Sequence, residues 1–252
     1  MKKIPIWPGQ IALLLTFLGL WEIVSSIEII SPVLLPRFSQ TIVSISGVLA
    51  SGELNYHLLI TMEELLSSFL IAAVVGISVG FLIASTKFLR ETFEPILLLL
   101  FAIPIAVVYP LIAVWFGLGV ESKILFGSIY GFFPIATNTI AGVRSTDKSL
   151  MKMSKSMGAS SPRIFTSVIF PSATPTLIAG LRSGLNLAFI GIIFGEMFAS
   201  LGGLGFLINS SSQVLDSAKV FGLIGIGLLV IVIANLAFNR LEIRSSRWRG
   251  EL

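Results

Sequence analysis

Few side chains in this sequence are equipped for chemistry. Of its 252 residues, 55% are hydrophobic and 12% are charged; cysteine is absent and His57 is the one histidine. Disulfides, thiolate metal sites, cysteine nucleophiles and histidine-rich metal clusters are thereby excluded, and no metal site is expected. The string G-x-x-x-x-G-K-[ST] does not occur, nor does even a Gly-Lys pair, so the chain has no phosphate-cradling loop with which to use ATP. Its apolar runs hold Glu22, Glu28, Glu196, Asn138 and Asn186 among their few ionisable and amide side chains. These form no recognisable set of nucleophile and base, so no catalytic residue is expected. They are also too sparse for a proton- or sodium-coupled carrier. Polar groups in such runs mark a path or a hydrogen bond between helices, and Glu196, Asn138 and Asn186 are the candidates for a pathway or gate.

The other chemistry-bearing stretch is the charged island 144–182. It holds Arg144, Lys148, Lys152, Lys155, Arg163 and Arg182 against Asp147 alone, with Gly158-Ala-Ser160 between two short helix-like pieces. Basic charge, a glycine turn and small neighbours are the makings of a docking loop, and a partner that binds there is the better source of energy for transport.

Long apolar elements must position these residues. A mean hydropathy of +0.97 is that of an integral membrane protein, and a helix needs about 20 apolar residues to cross the hydrocarbon. Six such windows occur: 11–30, 65–84, 96–118, 124–143, 183–206 and 220–238. Helices are expected throughout, because backbone groups in lipid must be satisfied within the segment. With both termini inside, the inner segments carry Lys2, Lys3, Lys87, Arg90, the island's basic residues, and Arg240, Arg244, Arg247 and Arg249; the outer ones carry Arg37, Lys123 and Lys219. The positive-inside rule therefore makes both termini cytoplasmic, and the net charge of +4 reports orientation rather than nucleic-acid binding. An N-terminal signal peptide is not expected, since no small-x-small cleavage site follows Lys2-Lys3.

Finer expectations follow. The pairs Gly76/Gly80, Gly180/Gly184 and Gly191/Gly195 would let helix backbones approach closely. Pro104, Pro110 and Pro134 should bend or break the third and fourth spans. An amphipathic piece at 39–49 is expected to lie along the outer surface. Glu196, 14 residues past Arg182, falls about 21 Å farther along its helix, in the outer half of the fifth span. Trp21-Glu22 reads as an interfacial or packing pair, His57 as a surface residue near the outer mouth, and Arg182 as snorkelling to headgroups or bracing the loop. The C-terminal arginines read as anchors to anionic lipid.

The island resembles the cytoplasmic loop of permease subunits of binding-protein-dependent ABC importers, whose pattern is E-A-A-x-x-x-G, nine residues, then I-x-L-P. Gly158, Val168, Phe170 and Pro171 take its last positions with the spacing intact, and Lys152, Met153 and Ser154 its first. Similarity to the sulfonate, taurine and nitrate branch runs over 34–241, through Ser51-Gly-Glu-Leu54, Pro110-Leu-Ile-Ala-Val-Trp-Phe-Gly-Leu-Gly119, Phe132-Phe-Pro134, Gly142-Val-Arg144, Glu196-Met197 and Gly203-Leu-Gly205.

That resemblance implies an all-α polytopic membrane protein with six transmembrane helices, a type I ABC importer permease-like (MetI-like) fold, in one domain over 1–252. It implies an inner-membrane subunit of a prokaryote, moving a small solute such as a sulfonate, taurine or nitrate. The expected partners are a second permease chain, two ATP-binding cassette subunits carrying ATP-Mg and an external solute-binding protein; this chain itself binds no cofactor. Lys152, Met153, Ser154, Gly158, Ala159, Ser160 and Pro171 would form the coupling loop. Three positions depart from the pattern: its leading glutamate is Lys152, and in the second span Glu64 and Ser68 stand where the branch carries arginine and glycine, which counts against an anionic solute. The rival readings are a stand-alone channel or secondary carrier, and a scaffold without a transport path.

Overall fold

The apolar windows become helices in a computed structural model, which describes residues 7–246; Lys2, Lys3, Arg247 and Arg249 lie outside them. In chain order the helices are α1 (Trp7–Ser26), α2 (Phe38–Ala50), α3 (Glu53–Ala84), α4 (Lys87–Phe101), α5 (Ile105–Phe116), α6 (Val120–Arg144), α7 (Lys148–Ser156), α8 (Ser161–Ile164), α9 (Phe170–Ala199), α10 (Leu204–Gln213) and α11 (Ser217–Ser246), with a π turn at Phe165–Ile169 before α9. Among the described residues, α1, α3, α6, the run through α9 and α11 are long and apolar enough to cross a membrane unbroken.

The remaining expected crossing, 96–118, is divided. Pro104 has no N–H to donate and pushes Ile103 away from helical geometry, so α4 stops at Phe101 and α5 restarts at Ile105. Tyr130 Oη donates to the Ile103 carbonyl at 3.1 Å, satisfying a group that the break leaves open. Pro110 and Pro134, by contrast, sit inside continuous α5 and α6.

The bundle is built around α6, which packs along both α3 and α9. All the glycines of the expected close-approach pairs face it. A Cβ on Gly80 would lie 2.5 Å from Thr139 Cβ, and one on Gly184 would lie 2.5 Å from Ile135 Cγ1. With little hydrophobic force between helices in lipid, such backbone proximity is what dispersion needs to hold them together. Where α6 is enclosed, Phe126, Ile135, Ala136 and Ile140 have no exposed surface. α1 is the opposite: apolar on every side and mostly exposed, as suits a helix against lipid. It is clasped at the end that the positive-inside expectation makes the outer one, where Trp21 Nε1 donates to Pro36 O at 2.9 Å and Ser39 Oγ donates to Glu22 at 2.7 Å. Trp21 and Glu22 are thus a packing pair.

Two outer elements differ from expectation. α2 turns Ile45 and Val48 inward, Ile45 against Gly222 of α11 and Val48 into a cluster with Leu54, Leu204 and Leu223, instead of lying free on the surface. α9 begins earlier and ends earlier than 183–206, because the chain leaves helical geometry at Ser200 and turns at Gly203, whose φ is 105°. α10 then re-enters the bundle as a separate helix.

Candidate functional site

Polar chemistry concentrates at the two ends of the bundle. On the outer side, Glu196 near the end of α9 is 1% exposed. Thr61 Oγ1 of α3 donates to its Oε1 at 2.7 Å, and the Gly205 amide donates to its Oε2 at 2.8 Å. The carboxylate therefore caps the N-terminus of α10, where unpaired amides and the helix dipole favour negative charge. A Cβ on Gly203 would collide with that carboxylate, and one on Gly205 would lie 2.7 Å from Glu196 Cβ; Gly203-Leu-Gly205 is what allows the cap.

The network extends from there. The Leu204 amide donates to Thr61 Oγ1 at 2.8 Å, and the Gly203 amide donates to His57 Nδ1 at 3.0 Å. His57 is 9% exposed. It is a buried acceptor and not the surface residue that its isolation in the sequence suggests. Beside it, Lys123 and Glu64 form an ion pair with side chains 4% and 2% exposed, and Lys123 Nζ also donates to Ser200 Oγ at 2.9 Å. Lys123 thus joins α6 to α3 rather than serving as an outer loop charge. Lys219 on α11 closes the same end by pairing with Glu53 at 3.1 Å.

Asn138 and Asn186 are not part of this network. Asn138 Nδ2 donates to Pro134 O within α6 at 2.8 Å, and its Cβ packs where Gly180 leaves room. Asn186 Oδ1 accepts from Asn235 Nδ2 at 3.1 Å, linking α9 to α11. The sequence 76–80 spells G-x-S-x-G, yet Ser78 lies inside unbroken α3, without the strand-to-helix elbow that a nucleophilic serine of that motif needs.

On the other side, the island forms a hairpin of short helices. Asp147 caps α7, its carboxylate accepting from the Ser149 amide at 2.7 Å. Gly158 ends it at φ 79°: its amide donates to Lys155 O at 3.0 Å and that of Ala159 donates to Ser154 O at 3.1 Å, the paired bonds of a glycine-terminated helix. No atom lies within 4 Å of where a Gly158 Cβ would stand, so glycine is required by the backbone angle alone.

Nothing on α7 is buried. Leu150, Met153 and Met157, 47%, 61% and 86% exposed, share one helix face by their spacing, and Lys152 is exposed beside them. Ser154, Gly158, Ala159 and Ser160 line a groove of about 450 Å³ with Arg163 and Val168. Pro171 stands apart in the first turn of α9, directly after the π turn, where the Phe170 amide donates to Phe165 O. A wider turn there accommodates a residue that cannot donate. Phe81 meets Phe165 edge to face, with ring centroids 5.1 Å apart, and stacks on Phe170 at 6.1 Å, tying the hairpin to the inner end of α3. Arg182 pairs with Glu242 at 3.3 Å, bracing α9 against α11.

Residues 72–247, a span that includes the hairpin and Glu196, match the family of binding-protein-dependent transport system inner membrane components. The chain belongs to this family. It is a permease subunit of a binding-protein-dependent ABC importer, a multi-pass inner-membrane protein. Similar proteins include the taurine transport system permease of Escherichia coli (strain K12), 29% identical over all of this chain and 92% of its own length. A putative aliphatic sulfonates permease of Bacillus subtilis (strain 168) is 28% identical over 97% and 88%. The riboflavin transport system permease of Chloroflexus aurantiacus is 31% identical over 97% and 92%. Among solved structures, the MetNI methionine ABC transporter in an inward-facing conformation shares the fold, with a TM-score of 0.66 at 19% identity over 74% of this chain and 93% of that one.

The sequence windows missed the Glu64–Lys123 pair for a definable reason. The charge-free runs begin at Leu65 and Ile124, immediately after the two charges, so neither Glu64 nor Lys123 falls inside a window and nothing in the sequence pairs them. Both helices begin earlier than the charge-free runs, α3 at Glu53 and α6 at Val120; Leu54, Leu58, Leu59 and Ile60 signal this for α3, whereas Glu121 and Ser122 give no such signal for α6.

Proposed function

We propose that this chain is one half of the translocation path of an ATP-driven importer, acting as a single permease domain with both termini in the cytoplasm. A second permease chain, identical or related, completes the path. Two ATPase subunits carrying ATP-Mg dock at 144–182, and an external binding protein delivers the solute to the opposite face. The observation that carries this reading is the α7–α8 hairpin, whose apolar face of Leu150, Met153 and Met157 is left uncovered while its glycine turn is fully hydrogen-bonded. An exposed apolar stripe on a capped helix at the cytoplasmic end calls for a protein partner.

In this reading Met153, Ser154, Gly158, Ala159 and Ser160 contact the ATPase, Lys152 meets an acidic group on it, and Pro171 passes the stroke into α9. Closure of the ATPases on nucleotide rocks α9 and α6 between inward- and outward-open states through differential contacts in the two. Glu196 acts as a strut of the outer gate through Thr61 and α10, and Asn138 and Asn186 hold helices in register along the path. Because similar chains are named for taurine, aliphatic sulfonates and riboflavin, the solute is a small polar organic molecule, with taurine or a sulfonate the leading class.

The test is uptake into proteoliposomes. The chain reconstituted with its ATPase subunits and binding protein should concentrate solute only when ATP is supplied, whereas the chain by itself should not respond to an ion gradient. Gradient-driven flux through the isolated chain would make it a channel or secondary carrier. A full complex whose ATPase ignores the loaded binding protein would make it a scaffold.

A further inference from the structure

The outer end holds a pocket that the strut does not fill. It encloses about 430 Å³ between the outer half of α3, the start of α6 and the turn at 200–202, and its walls include Glu63, Glu64, Ser67, Lys123 and Ser200. Glu64 and Lys123 cancel each other as a buried pair. Lys123 is further engaged by Ser200, so the pocket offers no unengaged cation to an anion. Glu64 is different: its side chain is 2% exposed, and among the described residues its Oε2 has no hydrogen-bond partner although it borders the pocket.

Glu63 adds a second, exposed carboxylate, with no cation paired to it among the described residues. Ten residues into α3 from Glu53, it lies about 15 Å from that helix's outer end. Tyr56, Ile60, Glu63 and Ser67 all border the pocket, and their spacing of four, three and four places them on one helix face. A carboxylate there is costly against lipid tails, so this face of α3 meets water or protein. The wall as a whole carries a net charge of minus one, focused in a low-dielectric recess.

We propose that this pocket binds a small solute carrying an ammonium or comparable cationic group, which sits between Glu63 and the open oxygen of Glu64, with the Ser67 hydroxyl facing the same space. The proposal rests on the permease reading and narrows its solute: an amine such as 2-aminoethanesulfonate (taurine) satisfies the pocket, while nitrate or a plain alkyl sulfonate meets only negative charge.

The absence of cysteine permits a direct test. Ser67→Cys is introduced into the full chain, assembled with its ATPase subunits in phosphatidylglycerol vesicles that lack amine headgroups. Its rates of modification by trimethylammonioethyl and sulfonatoethyl methanethiosulfonates are compared, each normalised to an exposed Ser31→Cys control. The cationic reagent should win by a factor of ~10, the scale set by one net charge a few ångströms away at intermediate dielectric, and adding Glu63→Gln should bring the ratio close to one. Taurine and ethylamine should each protect the thiol, and ethanesulfonate should not.

A ratio near one or favouring the anionic reagent, no modification by either, protection by ethanesulfonate, or protection by neither amine would overturn the proposal. Protection obtained only on adding phosphatidylethanolamine would assign the pocket to a lipid headgroup and overturn it equally. If Ser67→Cys does not assemble, Ile60→Cys on the same helix face gives the same readout. Retained charge preference without ATP-driven uptake would sink the permease reading while leaving the pocket's selectivity in place.

Discussion

The outer and inner ends of the bundle solve opposite problems with opposite means. Outside, side chains of α3, α6 and α9 and backbone amides of α10 are cross-linked through Thr61, Glu64, Lys123 and Glu196, all at most 3% exposed. Inside, α7 and α8 are held by a few bonds of their own and by the Phe165 ring packed edge to face on Phe81, and α7 buries nothing. A charge far from water survives only when paired and hydrogen-bonded, so the outer network fixes one arrangement of helices. An uncovered apolar face on a short helix costs little to present and gains only when a partner arrives. The difference separates rigidity from recognition: the outer end sets what moves together, and the inner end sets what pushes.

Substitutions that break this contrast are ordered by how much buried charge they strand. The largest effect belongs to the ion pair. Glu64→Gln leaves Lys123 buried without a counter-charge and should cost about 3–5 kcal/mol, read as a collapse of the unfolding midpoint of the purified chain. Combining Glu64→Leu with Lys123→Met should recover most of it. Full stability of the single variant would mean that the pair does not hold the helices and that the outer end is not the rigid one.

A smaller effect is expected at the inner turn. Gly158→Ala meets no neighbouring atom but forces a side chain into left-handed geometry, at about 1–2 kcal/mol. That cost should fall on the hairpin alone and appear as faster amide exchange across α7 with an unchanged global unfolding midpoint. Gly158→Asn, which tolerates that geometry better, should show less of it. A global loss of stability at Gly158 would mean that the hairpin is part of the bundle's core.

Much of this was legible in the sequence because membrane burial imposes simple rules. Apolar length located the long helices, glycine spacing found the faces of α3 and α9 that touch α6, and the turn at Gly158 followed from a glycine between two polar short segments. What escaped depends on partners distant in the chain. His57 looks solitary until Gly203, 146 residues away, supplies its amide. Glu64 looks like a departure from a pattern and Lys123 like an outer loop charge until the two meet. Pro104 and Pro134 are alike in sequence, but the first breaks its helix next to Ala102 and Ile103 while the second is carried through in the crowded centre of α6. Local patterns announce elements; they do not announce which buried polar groups will find each other.

The central claim, that the exposed face of α7 exists to receive the ATPase, is tested most directly by Met153→Asp with Met157→Asp. Both side chains are exposed, so the double variant should insert and unfold as the parent does, within about 0.5 kcal/mol. Affinity purification from membranes that also contain the cognate ATPase subunits should recover those subunits with the parent chain and lose them, at least tenfold, with the variant. Undiminished recovery of the ATPase with both methionines replaced would contradict the account.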